Sequence, residues 1–178
     1  MSVTGKVIVM PGMSSAGPDI ALTAAELLSI YRGDKLRWDS GRAIALLTRE
    51  QGDSSVASLK QALPGFAEAY AAGADTGLWT VLYSEPTMHE ALLIVPFALG
   101  LTDLGTVTIE RLPIKPVPID GIAPTPDNLA NGRYPFTMTL GFVWREDMLP
   151  DSARAFLEFV RSDEGARILR SHGYLPLR

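Results

Sequence analysis

The sequence of 178 residues contains no cysteine, no long apolar run and no excess of positive charge. Without cysteine the chain has no disulfides and no thiolate metal ligands, although this leaves its compartment open. The formal net charge of -4 offers no basic surface to a phosphate backbone, so nucleic acid is not expected as a partner. Residues 91–101, the longest apolar stretch, contain Pro96 and reach about half of the roughly 20 residues that cross a membrane.

Several functional patterns are also missing. The first ten residues carry one lysine and a short apolar run, so no signal peptide is expected there. His89 and His172 have no second histidine at ligand spacing; we expect surface or helix-end histidines and no metal. There is no G-x-S-x-G, G-x-G-x-x-G or Walker-type motif. We therefore expect neither an enzyme nor a cofactor.

The residues that are present predict an α/β fold. A hydrophobic fraction of 47% and a charged fraction of 20% are typical of a globular protein, and the length suits a single ligand-binding domain over residues 1–178. Alternating strands and helices favour a largely parallel sheet flanked by helices. Residues 112–126, with five prolines, are predicted to connect layers. The predicted strands are 7–10, 43–48, 78–83 and 136–144, and the predicted helices are 24–32, 56–63, 66–72, 87–95, 152–161 and 162–169.

Local signals set several boundaries. Thr23 and Glu26 have the spacing of a capping box that opens the first helix, and Gly33 is placed to end it. Thr87 and Glu90 form a second such pattern. The first strand is predicted to stop at Pro11 and Gly12.

A series of segments in the same order resembles the phosphate-binding subunits of ABC importers, which have the type II periplasmic binding protein fold. The helix at 22–33 resembles a threonine-capped helix of that family, and residues 49–55 lie where the family has an arginine and an anion-binding loop. Further similar segments are 36–41, 97–101, 119–125, 128–136, 159–165 and 173–177.

This resemblance implies a small anion such as phosphate as ligand, an ABC transporter permease as partner, and an extracytoplasmic location. The family clamps its ligand between two lobes. Its opening strand and first anion-contacting turn have no counterpart before Val7, which implies one lobe plus part of the second. A naturally reduced member, an excised piece and a homo-oligomer that completes the cleft all remain open.

The ligand-facing segment is predicted at residues 44–63, a strand, a polar turn and a helix. A helix N-terminus has unpaired N–H groups and partial positive charge, so Gly52, Asp53, Ser54 and Ser55 could form an anion site beside Arg49. The alternative is that Asp53 or Ser54 only caps the helix and Arg49 makes a surface ion pair. Asp53 would repel a fully ionised ligand, unless it accepts a hydrogen bond from a protonated one.

Other loops are weaker candidates for the same cleft. Ser14 and Ser15 follow the first strand, and ligand sites of open α/β sheets gather beyond strand carboxyl ends. Residues 83–85 also follow a strand. Two functions remain: non-catalytic binding of a small oxyanion or polar metabolite for ABC transport, or an interaction module that has lost its ligand and docks a partner protein.

Overall fold

A computed structural model describes residues 2–15 and 17–176 as a β-sheet combined with helices. The strands are β1 (Ser2–Met13), β2 (Ala45–Arg49), β3 (Thr80–Leu82), β4 (Ala98–Asp103), β5 (Lys115–Pro116), β6 (Thr137–Phe142) and β7 (Tyr174–Pro176). The helices are α1 (Ala24–Arg32), α2 (Ser54–Ala62), α3 (Phe66–Ala74), α4 (Glu85–Ile94), α5 (Leu104–Ile109), α6 (Pro126–Ala130), α7 (Asp151–Arg161) and α8 (Asp163–Ser171), with a 3₁₀ turn at Glu146–Met148.

The sheet is mixed rather than largely parallel. Strands β3, β2 and β4 run parallel in that order, and β1 follows as an antiparallel neighbour of β4. β1 also pairs antiparallel with β5, β6 and β7. The α/β class is confirmed, but the direction of β1 corrects the prediction for every strand that it contacts, because an alternating or apolar pattern carries no direction.

Strand β1 is longer than predicted and does not stop at Pro11 and Gly12. Pro11 supplies no N–H, but its carbonyl oxygen accepts from the N–H of Val117 at 2.9 Å. Gly12 leaves room for the side chains of Thr102 and Ile114, which a Cβ there would crowd. Pairing on both sides therefore outweighs the turn tendency of this dipeptide.

The helices follow most of the sequence signals. The Thr23 capping box is present, and the Gly33 N–H caps α1 in the left-handed conformation at φ 86°. Helix α4, however, begins before the predicted Thr87: Ser84 is its N-cap and accepts from the Thr87 N–H. Pro86 lies in the first turn of α4, where proline is favoured, and this signal supports the earlier start.

A buried aromatic cluster fixes α1 and α3 against the edge of the sheet. The rings of Tyr31 and Phe66 lie 4.7 Å apart between centroids, and Tyr70 and Trp79 lie 4.9 Å apart. Such pairs add about 0.5–1.5 kcal/mol each beyond the burial of their area. The cluster lies next to Arg49, because the Tyr70 hydroxyl donates to the Arg49 carbonyl oxygen at 2.6 Å. It therefore holds the end of β2 in place.

The proline-rich residues 112–126 contain the two-residue strand β5 and isolated bridges from Ile119 to Leu22 and Ile122. Their role as a connecting segment stays a prediction. No helix in the described part of the chain is long and apolar enough to cross a membrane.

Candidate functional site

The carboxyl ends of the parallel strands bring three charged or polar turns together. Arg49 is the last residue of β2, Asp103 is the last residue of β4, and Ser84 and Glu85 follow β3 at the start of α4. Strand register accounts for this arrangement, because Arg49 pairs with Leu82 and Ala45 pairs with Ala98. Parallel strands end at the same edge, so Arg49 and Glu85, which are 36 positions apart in sequence, become neighbours.

Arg49 lies at the centre of this group and is 7% exposed. Its Nη2 is 2.7 Å from Asp53 Oδ2, and its Nη1 donates to Glu85 Oε2 at 3.1 Å. Its Nε is buried and has no hydrogen-bond partner among the described residues. The alternative of a surface ion pair is therefore right about the ion pairing but not about the surface, because Arg49 is buried between two carboxylates.

Asp53 caps helix α2 and also pairs with Arg49. It is the N-cap of α2, where its Oδ1 accepts from the N–H of Ser55 at 2.8 Å and also from the Ser55 hydroxyl. Its other oxygen pairs with Arg49. The Asp53 carboxylate therefore contacts both Arg49 and the N-terminus of α2. A guanidinium and the N–H groups of a helix N-terminus are also donors that can bind an oxyanion. The Asp53 carboxylate thus occupies donors of both Arg49 and the α2 N-terminus.

The remaining members of the turn are open to solvent. Gly52 and Ser54 are exposed, and a Cβ placed on Gly52 would meet no atom within 4 Å. Ser55 is buried beneath them. The structure thus brings Arg49 and the predicted residues 52–55 together at one turn, with Ser54 directed to the surface.

Ser14 and Ser15 lie elsewhere, and this corrects the expectation that they line the same cleft. The Ser14 N–H donates to the carbonyl oxygen of Ala98 at the beginning of β4. Since β1 is antiparallel to β4, its carboxyl end lies at the opposite end of the sheet from Arg49. Ser14 is buried and its hydroxyl has no described partner, whereas Ser15 is exposed.

A second hydrogen-bonded group continues from Glu85. The hydroxyl of Thr102 donates to Glu85 Oε1 at 2.9 Å, and His89 Nε2 lies 2.7 Å from that hydroxyl and 3.1 Å from the same carboxylate oxygen. Because the Thr102 hydroxyl donates its hydrogen to Glu85, His89 Nε2 is the donor in the contact between His89 and Thr102. His89 is buried on the inner side of α4, so its prediction as a surface or helix-end residue is wrong; His172, at the end of α8, fits it.

Burial raises the pKa of Glu85 above its ordinary value of 4.5, and the neighbouring charge of Asp103 raises it further. The Thr102 hydrogen bond and the charges of His89 and Arg49 act in the opposite direction. The buried guanidinium of Arg49 thus pairs with the carboxylates of Asp53 and Glu85, and the Asp103 carboxylate lies near Glu85.

Ligand atoms of Glu85, His89 and Asp103 lie within 4.8 Å of one another, a spacing that one cation could bridge. Each carboxylate already has partners within the protein, however, since Asp103 caps α5 by accepting from the Thr106 N–H at 2.7 Å. We therefore describe these residues as a hydrogen-bonded network and assign no metal to them. Glu85 and His89 also line an open cavity of about 340 Å³ that includes Thr106 and Glu110.

Sequence reasoning missed most of this second group. Asp103 and Thr102 end an apolar strand just as Arg49 does, and the strand-end rule applied to Ser14 would have found them. Glu85 was only a weak candidate, and no local pattern ties His89 to it except their spacing of four residues on a helix.

Residues 4–164 match the PBP superfamily domain, and the chain therefore belongs to the PBP superfamily. This confirms the resemblance to the phosphate-type binding proteins that the sequence motifs indicated.

Solved structures with the same fold come from several bacteria. A Clostridium perfringens protein described as a phosphate ABC transporter substrate-binding protein, solved with bound phosphate, superposes with a TM-score of 0.81 at 20% identity, over 98% of this chain and 70% of that chain. PstS from Borrelia burgdorferi gives a TM-score of 0.69 at 18% identity, over 99% of this chain and 72% of that chain. These likenesses establish the fold.

A curated relative matches a shorter part of the sequence. Phosphate-binding protein PstS 2 of Streptococcus agalactiae is 26% identical over 98 residues, which are 55% of this chain and 32% of the relative. The chain thus matches about a third of that protein's length.

Proposed function

We propose that this domain binds a small oxyanion of the phosphate type, without catalysis, as a substrate-binding component of an ABC transport system. The observation that supports this most is Arg49, buried beside the N-terminus of α2 with its Nε unpartnered. That nitrogen and the α2 N–H groups form an oxyanion-binding arrangement. The relatives are named for phosphate binding, which favours this hypothesis over an interaction module.

Asp53 is a competitor for the ligand in this proposal. Its carboxylate contacts Arg49 and Ser55, so an oxyanion can reach these donors only after the Asp53 side chain rotates away. If it stays about 4 Å from a bound anion, the repulsion costs on the order of 4 kcal/mol per charge pair at an effective dielectric near 20. We therefore expect weaker binding than the donor set alone would provide.

Calorimetric titration with inorganic phosphate tests the proposal. We expect binding to wild type, about tenfold or greater loss with Arg49→Met, and about tenfold or greater gain with Asp53→Asn, which keeps a capping oxygen but removes the charge. Arg167→Met is the matched control, because Arg167 lies on α8 with a side chain 75% exposed. Equal phosphate affinity in wild type and Arg49→Met would contradict the proposed site.

The cellular location, the transport partner and the oligomeric state are further parts of this proposal. We infer an extracytoplasmic location and an ABC permease as partner, with residues 1–178 acting as one ligand-binding domain. A second copy of the chain that completes the cleft is part of this proposal, and the exposed apolar side chains Val143, Phe156, Phe159 and Ile168 are candidate contacts with it. Sedimentation at several concentrations tests this, since a monomer at all of them would exclude the homo-oligomer.

A further inference from the structure

Glu85 connects the anion site to a second group of titratable residues. One of its oxygens faces Arg49, and the other contacts Thr102 and His89. We propose that binding of an oxyanion at the Arg49 turn is accompanied by proton uptake at Glu85, so that Glu85 makes the affinity depend on pH. This inference rests on the proposed function and adds a specific role for a residue outside the predicted turn.

The terminal nitrogens of Arg49 are already in contact with protein carboxylates. Its Nη1 and Nη2 are both engaged by carboxylates, at 3.1 Å from Glu85 and 2.7 Å from Asp53. An oxyanion that binds the guanidinium has to share or replace these contacts. Glu85 then loses part of its positive partner and gains a negative neighbour, and both changes favour its protonated form.

The surroundings of Glu85 determine the direction of the effect. From β2 it faces Arg49 and, beyond the guanidinium, Asp53; from its own helix it faces His89; and from the end of β4 it faces Thr102 and Asp103. Glu90 and Glu110 line the adjoining cavity. Among these charged groups, Arg49 is the one fixed positive charge, since His89 is charged only when protonated.

A proton on Glu85 has a defined place. Oε1 already accepts from Thr102, so the added proton belongs on Oε2, the oxygen that faces Arg49. Burial already raises the pKa of Glu85, which brings its protonation closer to neutral pH. Since anion binding raises this pKa further, linkage requires that the affinity increase as the pH falls.

Calorimetry with inorganic sulfate, which remains a dianion over the range used, measures the protons directly. Titrations in buffers of different ionisation enthalpy, between about pH 5 and about pH 8, are expected to show proton uptake when wild type binds sulfate. The sulfate affinity of wild type is expected to rise by up to about tenfold for each unit by which the pH falls. Glu85→Gln is expected to bind without this uptake, to lose the pH dependence, and to bind more tightly than wild type at the alkaline end. Glu68→Gln, on the exposed side of α3, should behave as wild type.

The outcomes separate this inference from the proposed function. Absence of binding by wild type and Glu85→Gln, with phosphate as well as sulfate, contradicts the proposed function itself. Binding without proton uptake, or uptake that persists in Glu85→Gln and disappears in His89→Gln, overturns the role of Glu85 while leaving anion binding intact. Should Glu85→Gln fail to fold, the wild-type proton count decides, and a value of zero overturns the proposal.

Discussion

Arg49 has a structural role and, in the proposed function, a binding role as well. Its guanidinium pairs with the carboxylates of Asp53 and Glu85, and it supplies donors of the proposed anion site. Removing one member of a buried ion pair leaves its partner uncompensated, which generally costs several kcal/mol. The same residue is therefore expected to control both the stability of the domain and its ligand affinity.

Replacing Arg49 by methionine should destabilise the folded domain. We expect a loss of roughly 3 kcal/mol in the free energy of unfolding, because the side chains of Arg49 and Asp53 are only 9% and 15% exposed. Arg32→Met, which breaks an exposed pair with Asp34, should cost less than about 1 kcal/mol. Urea denaturation of both variants measures the difference, and equal losses would show that burial of the pair has no energetic consequence.

Glu26 provides a pH-dependent prediction. Its hydrogen bond from Lys35, and then that from the Thr23 N–H, lower its pKa from 4.5 to about 2. The carboxylate therefore stabilises the fold above pH 4.5, and this contribution is lost as the pH falls toward 2. Because Glu26 is partly exposed, we expect Glu26→Gln to cost only about 1 kcal/mol or less at neutral pH.

Thermal unfolding of wild type and Glu26→Gln, followed from neutral pH downward, checks this. The two melting temperatures should converge as the pH falls from 4.5 toward 2, since the carboxyl group is protonated first in the unfolded chain and, near pH 2, in the folded protein as well. A constant difference across the pH range would show that the charge of Glu26 has no role.

At the scale of elements, the structure shows which boundaries local sequence can determine. The capping box of α1 was predictable because its two residues are three positions apart and need no tertiary contact. The start of α4 was not, because Ser84 and Thr87 both have cap chemistry and the choice depends on Pro86. The extension of β1 through Pro11 was missed because it depends on pairing with distant strands.

Helix α3 contains a glycine whose absence of a side chain is required by packing. A Cβ on Gly73 would overlap the Tyr31 carbonyl oxygen and the Trp79 ring. We expect Gly73→Ala to destabilise the domain by roughly 2–3 kcal/mol through overpacking, even though alanine gains about 1 kcal/mol in helix propensity.

Gly52→Ala is the matched control, since its added methyl group meets open space. Chemical denaturation is expected to show a change within about 0.5 kcal/mol for that variant. A Gly73→Ala protein as stable as wild type would mean that α3 can move away from Trp79 without loss.

At the scale of the whole molecule, β1 links two parts of the β-structure. Residues 9–13 pair with β4, and residues 5–8 pair with β6 and β7. The alternation of elements and the collinear motifs were sufficient to predict the α/β class and the binding-protein resemblance. They could not show that β1 runs antiparallel or that Glu85 reaches Arg49, because both depend on how distant segments are placed in space.

This linkage predicts the pattern of amide hydrogen exchange. Amide protons of β1 in residues 5–8 and 9–13 should exchange slowly and through a common opening, because neighbouring strands cover both parts. β3, which ends the strand order, should exchange faster. Much faster exchange in residues 5–8 than in 9–13 would show that the two parts of β1 open independently.

Anion binding at the Arg49 turn can be followed residue by residue in an NMR titration of ¹⁵N-labelled protein with inorganic phosphate. Binding at the helix N-terminus predicts saturable shifts that are largest for the amides of Asp53, Ser54 and Ser55 and for the Arg49 Nε–H, which is buried without a described partner. Saturable shifts centred elsewhere, or no shifts at any phosphate concentration, would contradict anion binding at this turn.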